Sequence, residues 1–91
     1  MENIHFLYIL KSSALPRHYI GISSNPSRRL SQHNAGEVRS TKGYRPWKLE
    51  YVQMFVNKKE ARLRELFLKK TARARKDLFD SIDRTALSSN G

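Results

Sequence analysis

The chain has 91 residues, no cysteine and a formal net charge of +10, from 18 Lys and Arg against eight Asp and Glu. This length predicts a single domain too small for an enclosed cleft, and the missing cysteines exclude disulfides, cysteine nucleophiles and cysteine-ligated zinc. The charge favours nucleic acid as a partner over a membrane surface or an acidic protein, and the longest apolar run, Phe6–Leu10, is far too short to span a membrane.

The first part of the chain predicts a β-hairpin that carries two tyrosines. Ile4–Leu10 is almost wholly apolar, which is typical of a central strand buried on both faces. A short connection leads to a second strand, His18–Ile22, so the two strands are expected to pair antiparallel. Because side chains alternate along a strand, Tyr19 and Gly21 should share one face. The glycine either marks a bulge or leaves room for a nucleic-acid backbone.

A basic helix should follow the hairpin. Asn25 can cap its first turn, Pro26 suits the first helical position, and Gly36 is a typical C-terminal stop. Arg29 and His33, four residues apart, lie on one face of such a helix. Each has an ordinary alternative, a solvated arginine or a histidine near a helix C-terminus, so neither identifies a site by itself.

A basic loop, residues 37–47, leads to the third strand. We assign nucleic-acid binding to its cations, to the next lysine and to one arginine of the preceding helix: Arg28, Arg39, Lys42, Arg45 and Lys48. The interleaved rings of Tyr44 and Trp47 would then stack on exposed bases. The alternative, left equally open by the residues, is that Trp47 packs in the core and the cations are merely solvated.

A strand and two helices are expected after this loop. The strand, Leu49–Val56, should place Leu49, Tyr51 and Phe55 on one face. A cap at Asn57 starts a helix over Lys58–Lys70, whose expected inward stripe is Leu63, Leu66, Phe67 and Lys70. A short helix over Thr71–Ile82 follows.

The order ββαβα(α) predicts an α+β fold, a small three-stranded antiparallel sheet flanked by helices. We expect one domain over residues 1–84 and a disordered tail over residues 85–91. The N-terminus lacks the basic region of a signal peptide, so we expect a soluble cytoplasmic protein, most simply a monomer.

Five segments together resemble the GIY-YIG nuclease domain, especially its small stand-alone bacterial members. In order, they are Phe6–Leu10 (FLYIL), Tyr19–Gly21 (YIG), Arg28–Asn34 (RRLSQHN), Thr41–Leu49 (TKGYRPWKL) and Glu60–Glu65 (EARLRE). Each is weak by itself, but their order over roughly residues 4–76 makes the match specific. One departure is plain: Phe6 and Leu7 stand where the family has the glycine and isoleucine of its name.

The resemblance implies an endonuclease that hydrolyses DNA, either structure-selective or non-specific, with a single Mg²⁺ or Mn²⁺ and no small-molecule cofactor. It implies that Glu65 binds the metal ion and that Gly21 is structural at the site. By position, it implies that the catalytic residues are Tyr8, Tyr19, Arg29 and His33.

These residue types suit phosphodiester hydrolysis. Arg29 offers a planar, always-charged fork to phosphate oxygens, and Mg²⁺ often needs one or two carboxylates because it keeps several waters. A tyrosine is a poor base at neutral pH, but a metal and arginines nearby make its phenolate more accessible. Tyr8 could then accept the proton of the attacking water and Tyr19 could hydrogen-bond the phosphate, although the sequence leaves open which tyrosine is the base.

Two other interpretations stay open. The same fold could bind nucleic acid without turnover, or, less well supported, serve as a basic protein-interaction domain. Glu65 has an ordinary explanation, since it precedes Lys69 by four residues and can form a helix ion pair with it. The complete set of Tyr8, Tyr19, Arg29 and Glu65 favours the enzyme.

Overall fold

The structure, a computed structural model, describes residues 3–89. Its elements, in chain order, are β1 (His5–Ser12), β2 (His18–Ser23), α1 (Pro26–Asn34), a 3-10 helix (Lys42–Tyr44), β3 (Trp47–Phe55), α2 (Lys58–Lys70) and α3 (Ala72–Ser89). The strands form an antiparallel sheet in the order β2-β1-β3. The predicted α+β fold and the predicted hairpin are confirmed.

The central strand β1 packs on both faces. On one face Leu7 and Ile9 lie under α2 and α3, in a cluster with Ile20, Leu68 and Ile82. On the opposite face, which we call the tyrosine face, the cluster consists of Tyr8, Leu10 and Trp47, with Leu30 of α1 packed against it. The candidate site therefore belongs to the layer between the sheet and α1.

Both predicted helix caps are present. The Asn25 side chain accepts a hydrogen bond from the backbone N–H of Arg28 at 3.1 Å, and Asn57 accepts one from Glu60 at 2.9 Å. Gly36, after α1, has a φ of +80°, a conformation that side chains rarely adopt. Local chemistry thus sets where α1 and α2 begin and where α1 ends.

The prediction that Leu49 shares one face of β3 with Tyr51 and Phe55 is wrong. Leu10 pairs with Leu49 while Ile9 pairs with Tyr51, so Glu50 is an extra residue in the β1–β3 ladder. This bulge resets the alternation of side chains. Leu49 consequently packs on the tyrosine face, whereas Tyr51 and Phe55 pack on the opposite face under α2 and α3.

The expected inward stripe of α2 is also wrong. The buried residues of the helix are Ala61, Glu65 and Leu68, while Leu63 is 53% exposed and Phe67 is 47% exposed. The side of α2 that faces the sheet carries a small residue, Ala61, and a carboxylate, Glu65. Leu63 and Phe67 are left on the outer surface, while Leu68 is buried.

The last helix is longer than predicted. α3 continues to Ser89, so residues 85–89, expected in a disordered tail, are helical, since no proline or glycine interrupts them. Residues 90 and 91 lie outside the described part of the chain. Asp83 ties α3 to the hairpin, accepting contacts from Lys11 at 3.1 Å and from His18 at 3.3 Å. Among the described residues, no helix is long and apolar enough to cross a membrane.

Candidate active site

Tyr8 and Gly21 form the floor of the candidate site, because they are paired residues of β1 and β2. A Cβ on residue 21 would lie 2.6 Å from both Cζ and Oη of Tyr8, and 3.0 Å from Cε2 of Tyr19. The β1–β2 register continues through this pair without a shift. The expected bulge is therefore wrong, and the space left by the missing side chain is filled by the phenol of Tyr8. The approach of a nucleic-acid backbone to Gly21 stays a prediction.

His33 on α1 contacts the hydroxyl group of Tyr8. Its Nε2 lies 3.3 Å from Tyr8 Oη, and its Nδ1 lies 2.8 Å from Oγ1 of Thr41. The Tyr19 ring lies beside the imidazole, with 4.6 Å between ring centroids, and 6.2 Å from the Tyr8 ring. β1, β2 and α1 thus bring three of the predicted catalytic side chains into one cluster, of which Tyr8 and His33 are buried.

Burial raises the pKa of Tyr8 above its ordinary value of 10.0. The hydrogen bond and the positive charge of Arg29 oppose that rise, while the charges of Tyr19 and Glu65 add to it. Tyr8 is therefore a neutral phenol at neutral pH, and proximity to Arg29 is not enough to make it a phenolate.

Burial also lowers the pKa of His33 below its ordinary value of 6.5, and the charge of Arg29 adds to this effect. The imidazole is therefore uncharged at neutral pH. Arg29 itself is half-buried on α1 and donates a hydrogen bond to Oε1 of Gln32. One face of α1 thus supplies both the positive charge and the neutral imidazole of the cluster.

Glu65 lies on α2, whose Leu68 packs against the Leu7 and Ile9 face of the sheet. Its carboxylate is buried, and its charge acts on Tyr8. Both of its oxygens have cationic partners at 3.0 Å, Nη1 of Arg62 on Oε1 and Nζ of Lys69 on Oε2. The helix pair with Lys69 that the sequence offered as an ordinary explanation is therefore present.

Glu65 fits a loosely held divalent cation. Within residues 3–89, no group of three or more His, Cys, Asp or Glu side chains is placed to hold a metal ion. A carboxylate is a hard oxygen donor, and Mg²⁺ accepts such a ligand with waters and phosphate oxygens in its other positions. Arg62 and Lys69 are about half exposed, so both can turn away from Glu65 toward solvent or a phosphate.

The cations assigned to nucleic-acid binding are all exposed. Lys42 and Arg45 line a cavity of about 490 Å³, whereas Lys48 lines a different one with Lys11 and Glu50. Arg28 is exposed on α1, and Arg39 is exposed in the loop. All five side chains are exposed, and their assignment to nucleic-acid binding stays a prediction.

Trp47 packs in the core, as the alternative interpretation proposed. It is buried in the tyrosine-face cluster, and its Nε1 donates to the backbone oxygen of Thr41 at 2.9 Å. Its ring is therefore not available for stacking on a base. The Tyr44 ring, which is half-buried, is covered by the guanidinium of Arg17 at 4.6 Å from its centroid.

Two residues that the sequence did not single out adjoin the cluster. Thr41 contacts His33 through its side chain. Arg17 lines a cavity of about 200 Å³ together with Tyr19 and Thr41. Little in the sequence points to a role for either residue. Thr41 belongs to a motif noted for its charge, and Arg17 lies two residues before Tyr19 in the turn of the hairpin.

Known proteins resemble this chain over most of its length. The sequence model of the GIY-YIG catalytic-domain family matches residues 4–77 of this chain. A UPF0213 protein of Streptococcus pneumoniae is 35% identical over 91 residues, covering 97% of this chain and 91% of that protein. A UPF0213 protein of Halobacterium salinarum is 33% identical over 75 residues, covering 81% of this chain and 96% of that protein.

A solved structure shows the same arrangement of strands and helices. The solution NMR structure of a UPF0213 protein from Bacillus halodurans is 29% identical to this chain, with a TM-score of 0.53. The superposition covers 87% of this chain and 84% of the other. The cluster around Tyr8, together with Glu65, lies inside the matched residues 4–77.

Proposed function

The chain belongs to the GIY-YIG catalytic-domain family, and from this membership we propose that the protein is a metal-dependent endonuclease that hydrolyses phosphodiester bonds of DNA. The observation that carries the proposal is the contact of Tyr8 with His33, beside Tyr19 and within reach of the charge of Arg29. The net charge of +10 supports a polyanionic substrate.

Tyr8 acts as a neutral relay for the proton of the attacking water. The water passes a proton to Oη of Tyr8 while the Tyr8 proton passes to Nε2 of His33, 3.3 Å away. The water oxygen forms a bond to phosphorus as the bond from phosphorus to the leaving oxygen breaks. The histidine later releases its proton to that oxygen or to solvent. This path avoids a free phenolate, which the raised pKa of Tyr8 disfavours.

Arg29 neutralises the phosphate as negative charge develops on its oxygens. Its guanidinium is always charged and half-buried, where its field is screened less than in open solvent. Tyr19, on the edge strand β2, donates a hydrogen bond to the phosphate or to the water. The two groups hold the substrate against the relay.

Glu65 is the residue that would hold the metal ion. A bound Mg²⁺ or Mn²⁺ would polarise the phosphate and make the attacking water more acidic. Because Arg62 and Lys69 occupy both carboxylate oxygens, the ion should bind weakly before the substrate arrives. Phosphate oxygens of the substrate would supply further oxygen ligands to the ion and would attract the two cations away from Glu65.

The same ion pairs support a second candidate function, binding of nucleic acid without turnover. A carboxylate held by two cations is satisfied as a structural group, and a domain that merely binds would retain it. The exposed cations serve this function equally well.

Cleavage assays separate the two functions. Purified protein is incubated with plasmid, single-stranded and branched DNA in Mg²⁺ or Mn²⁺, beside Tyr8→Phe, Arg29→Ala and Glu65→Gln. We expect cleavage by the wild type and a loss on the order of 10²- to 10⁴-fold for Tyr8→Phe. Arg73→Ala, which removes an exposed arginine of α3, is the matched control and should keep most activity. DNA binding with no cleavage of any substrate would establish the second function instead.

A further inference from the structure

We propose that Thr41 is a positioning residue, whose hydroxyl group fixes His33 in the tautomer that carries its proton on Nδ1 and directs the bare Nε2 at Tyr8. The consequence for catalysis rests on the proposed nuclease function. The tautomer itself follows from hydrogen-bonding partners and can be measured in the protein without a substrate.

The proton count around Thr41 determines the direction of each bond. Oγ1 of Thr41 has a single hydrogen and lies 3.2 Å from the backbone oxygen of Val38, which can only accept. That hydrogen is thereby used. With that hydrogen directed at Val38, we infer that Thr41 Oγ1 acts as an acceptor toward His33 Nδ1, at 2.8 Å, so that Nδ1 carries the proton.

The other nitrogen of the ring then has a lone pair. A neutral imidazole carries one N–H, so protonation of Nδ1 leaves Nε2 as an acceptor. Nε2 faces the hydroxyl of Tyr8 at 3.3 Å, and the phenol donates to it. The chain of donors runs from Tyr8 to His33, from His33 to Thr41, and from Thr41 to the Val38 carbonyl.

Thr41 is held firmly enough to impose this choice. It is 2% exposed, and its backbone N–H also donates to the Val38 oxygen at 3.1 Å. Its own carbonyl accepts bonds from Trp47 Nε1 at 2.9 Å and from the backbone N–H of Tyr44 at 3.1 Å. If His33 changed tautomer, the Thr41 hydroxyl would have to turn toward Nδ1, and the Val38 carbonyl would keep only the backbone N–H of Thr41 as a partner in this group.

The tautomer decides whether the proposed relay can work. With Nε2 bare, the Tyr8 proton has an acceptor, and the oxygen of Tyr8 keeps one lone pair for the proton of the water beside the hydrogen bond from Arg29. With Nε2 protonated, the imidazole would donate to Tyr8, and the phenol would have no acceptor for its own proton. Thr41 acts on catalysis through His33 and need not touch the substrate.

The test compares Thr41→Val, which keeps the shape but removes the oxygen, with Thr41→Ser, which keeps the hydroxyl. Long-range ¹H–¹⁵N NMR spectra of the imidazole report the protonated nitrogen of His33 directly. We expect Nδ1–H in the wild type and in Thr41→Ser, and a substantial population of Nε2–H in Thr41→Val. In cleavage assays Thr41→Val should lose activity on the order of 10²-fold, at the lower end of what a positioned proton acceptor contributes, and Thr41→Ser should recover most of it.

Two results would overturn the proposal: Nε2–H in wild-type His33, or the same tautomer in Thr41→Val as in the wild type. Circular dichroism checks that each variant is folded. If Thr41→Val does not fold, the wild-type and Thr41→Ser spectra still decide the tautomer. If no form of the protein cleaves DNA, the nuclease function fails while the tautomer measurement stands on its own.

Discussion

Replacing Gly21 with alanine tests the packing at the floor of the site. The new Cβ would lie 2.6 Å from Cζ and Oη of Tyr8, closer than real side chains approach. The Tyr8 ring cannot yield freely, because it is buried and its hydroxyl contacts His33. Overpacking of this kind costs about 1–3 kcal/mol, which lowers the melting temperature of a domain this size by roughly 5–20 °C.

The chain provides a matched control in Gly43. A Cβ there meets nothing within 4 Å, and its backbone does not require glycine. Gly43→Ala should leave the free energy of unfolding unchanged or raise it by about 0.4–1 kcal/mol. Thermal and urea unfolding followed by circular dichroism compare the two variants.

A double-mutant cycle assigns the cost to the Tyr8 ring. Leucine at position 8 lacks the atoms that correspond to Cζ and Oη, so Gly21→Ala should cost less in Tyr8→Leu than in the wild type. Our description of the site floor would be refuted if Gly21→Ala were as stable as Gly43→Ala, or if its cost did not depend on residue 8.

Three further predictions concern α2, the histidine and the metal ion. Leu68→Ala should destabilise the protein by about 2–5 kcal/mol, whereas Leu63→Ala should stay within about 0.5 kcal/mol; equal losses in urea unfolding would contradict the helix orientation. Because the pKa of His33 is lowered on folding, the unfolded chain binds the proton first as the pH falls below about 6.5, so stability should decline there. His33→Asn should weaken this pH dependence of the urea midpoint, and an identical dependence would contradict the prediction. Lys69→Met should tighten Mn²⁺ binding at Glu65 by roughly 2- to 5-fold, which is the contribution of one partly exposed ion pair. Electron paramagnetic resonance titration measures the Mn²⁺ affinity, with Glu65→Gln as the control. An unchanged affinity would count against Glu65 as the metal ligand.

The order and type of the elements could be predicted from local signals. Asn25, Asn57 and Gly36 set helix ends through their own backbone chemistry. The alternation along the first two strands correctly placed Tyr19 and Gly21 on one face. The remaining site residues were identified by their positions in the family motifs, and the match over residues 4–77 confirms the family.

Tertiary packing decided what local signals could not. The inward face of α2 was predicted from its large apolar residues, yet Ala61 and Glu65 face the sheet, and Phe67 does not. The contact of Tyr8 with Gly21 depends on strand register, and the contact of His33 with Thr41 joins two segments eight residues apart. Such pairings are set by how elements meet, which no single segment encodes.

The bulge in β3 determines which changes in length the strand can tolerate. Glu50 is the extra residue between Leu49 and Tyr51, whose partners Leu10 and Ile9 are adjacent in β1. Deleting Glu50 would leave a regular ladder with both neighbours on their present faces. Deleting a residue elsewhere within the strand would turn part of it over, moving core side chains to solvent. Among homologous chains, a one-residue gap in this strand is therefore expected at position 50.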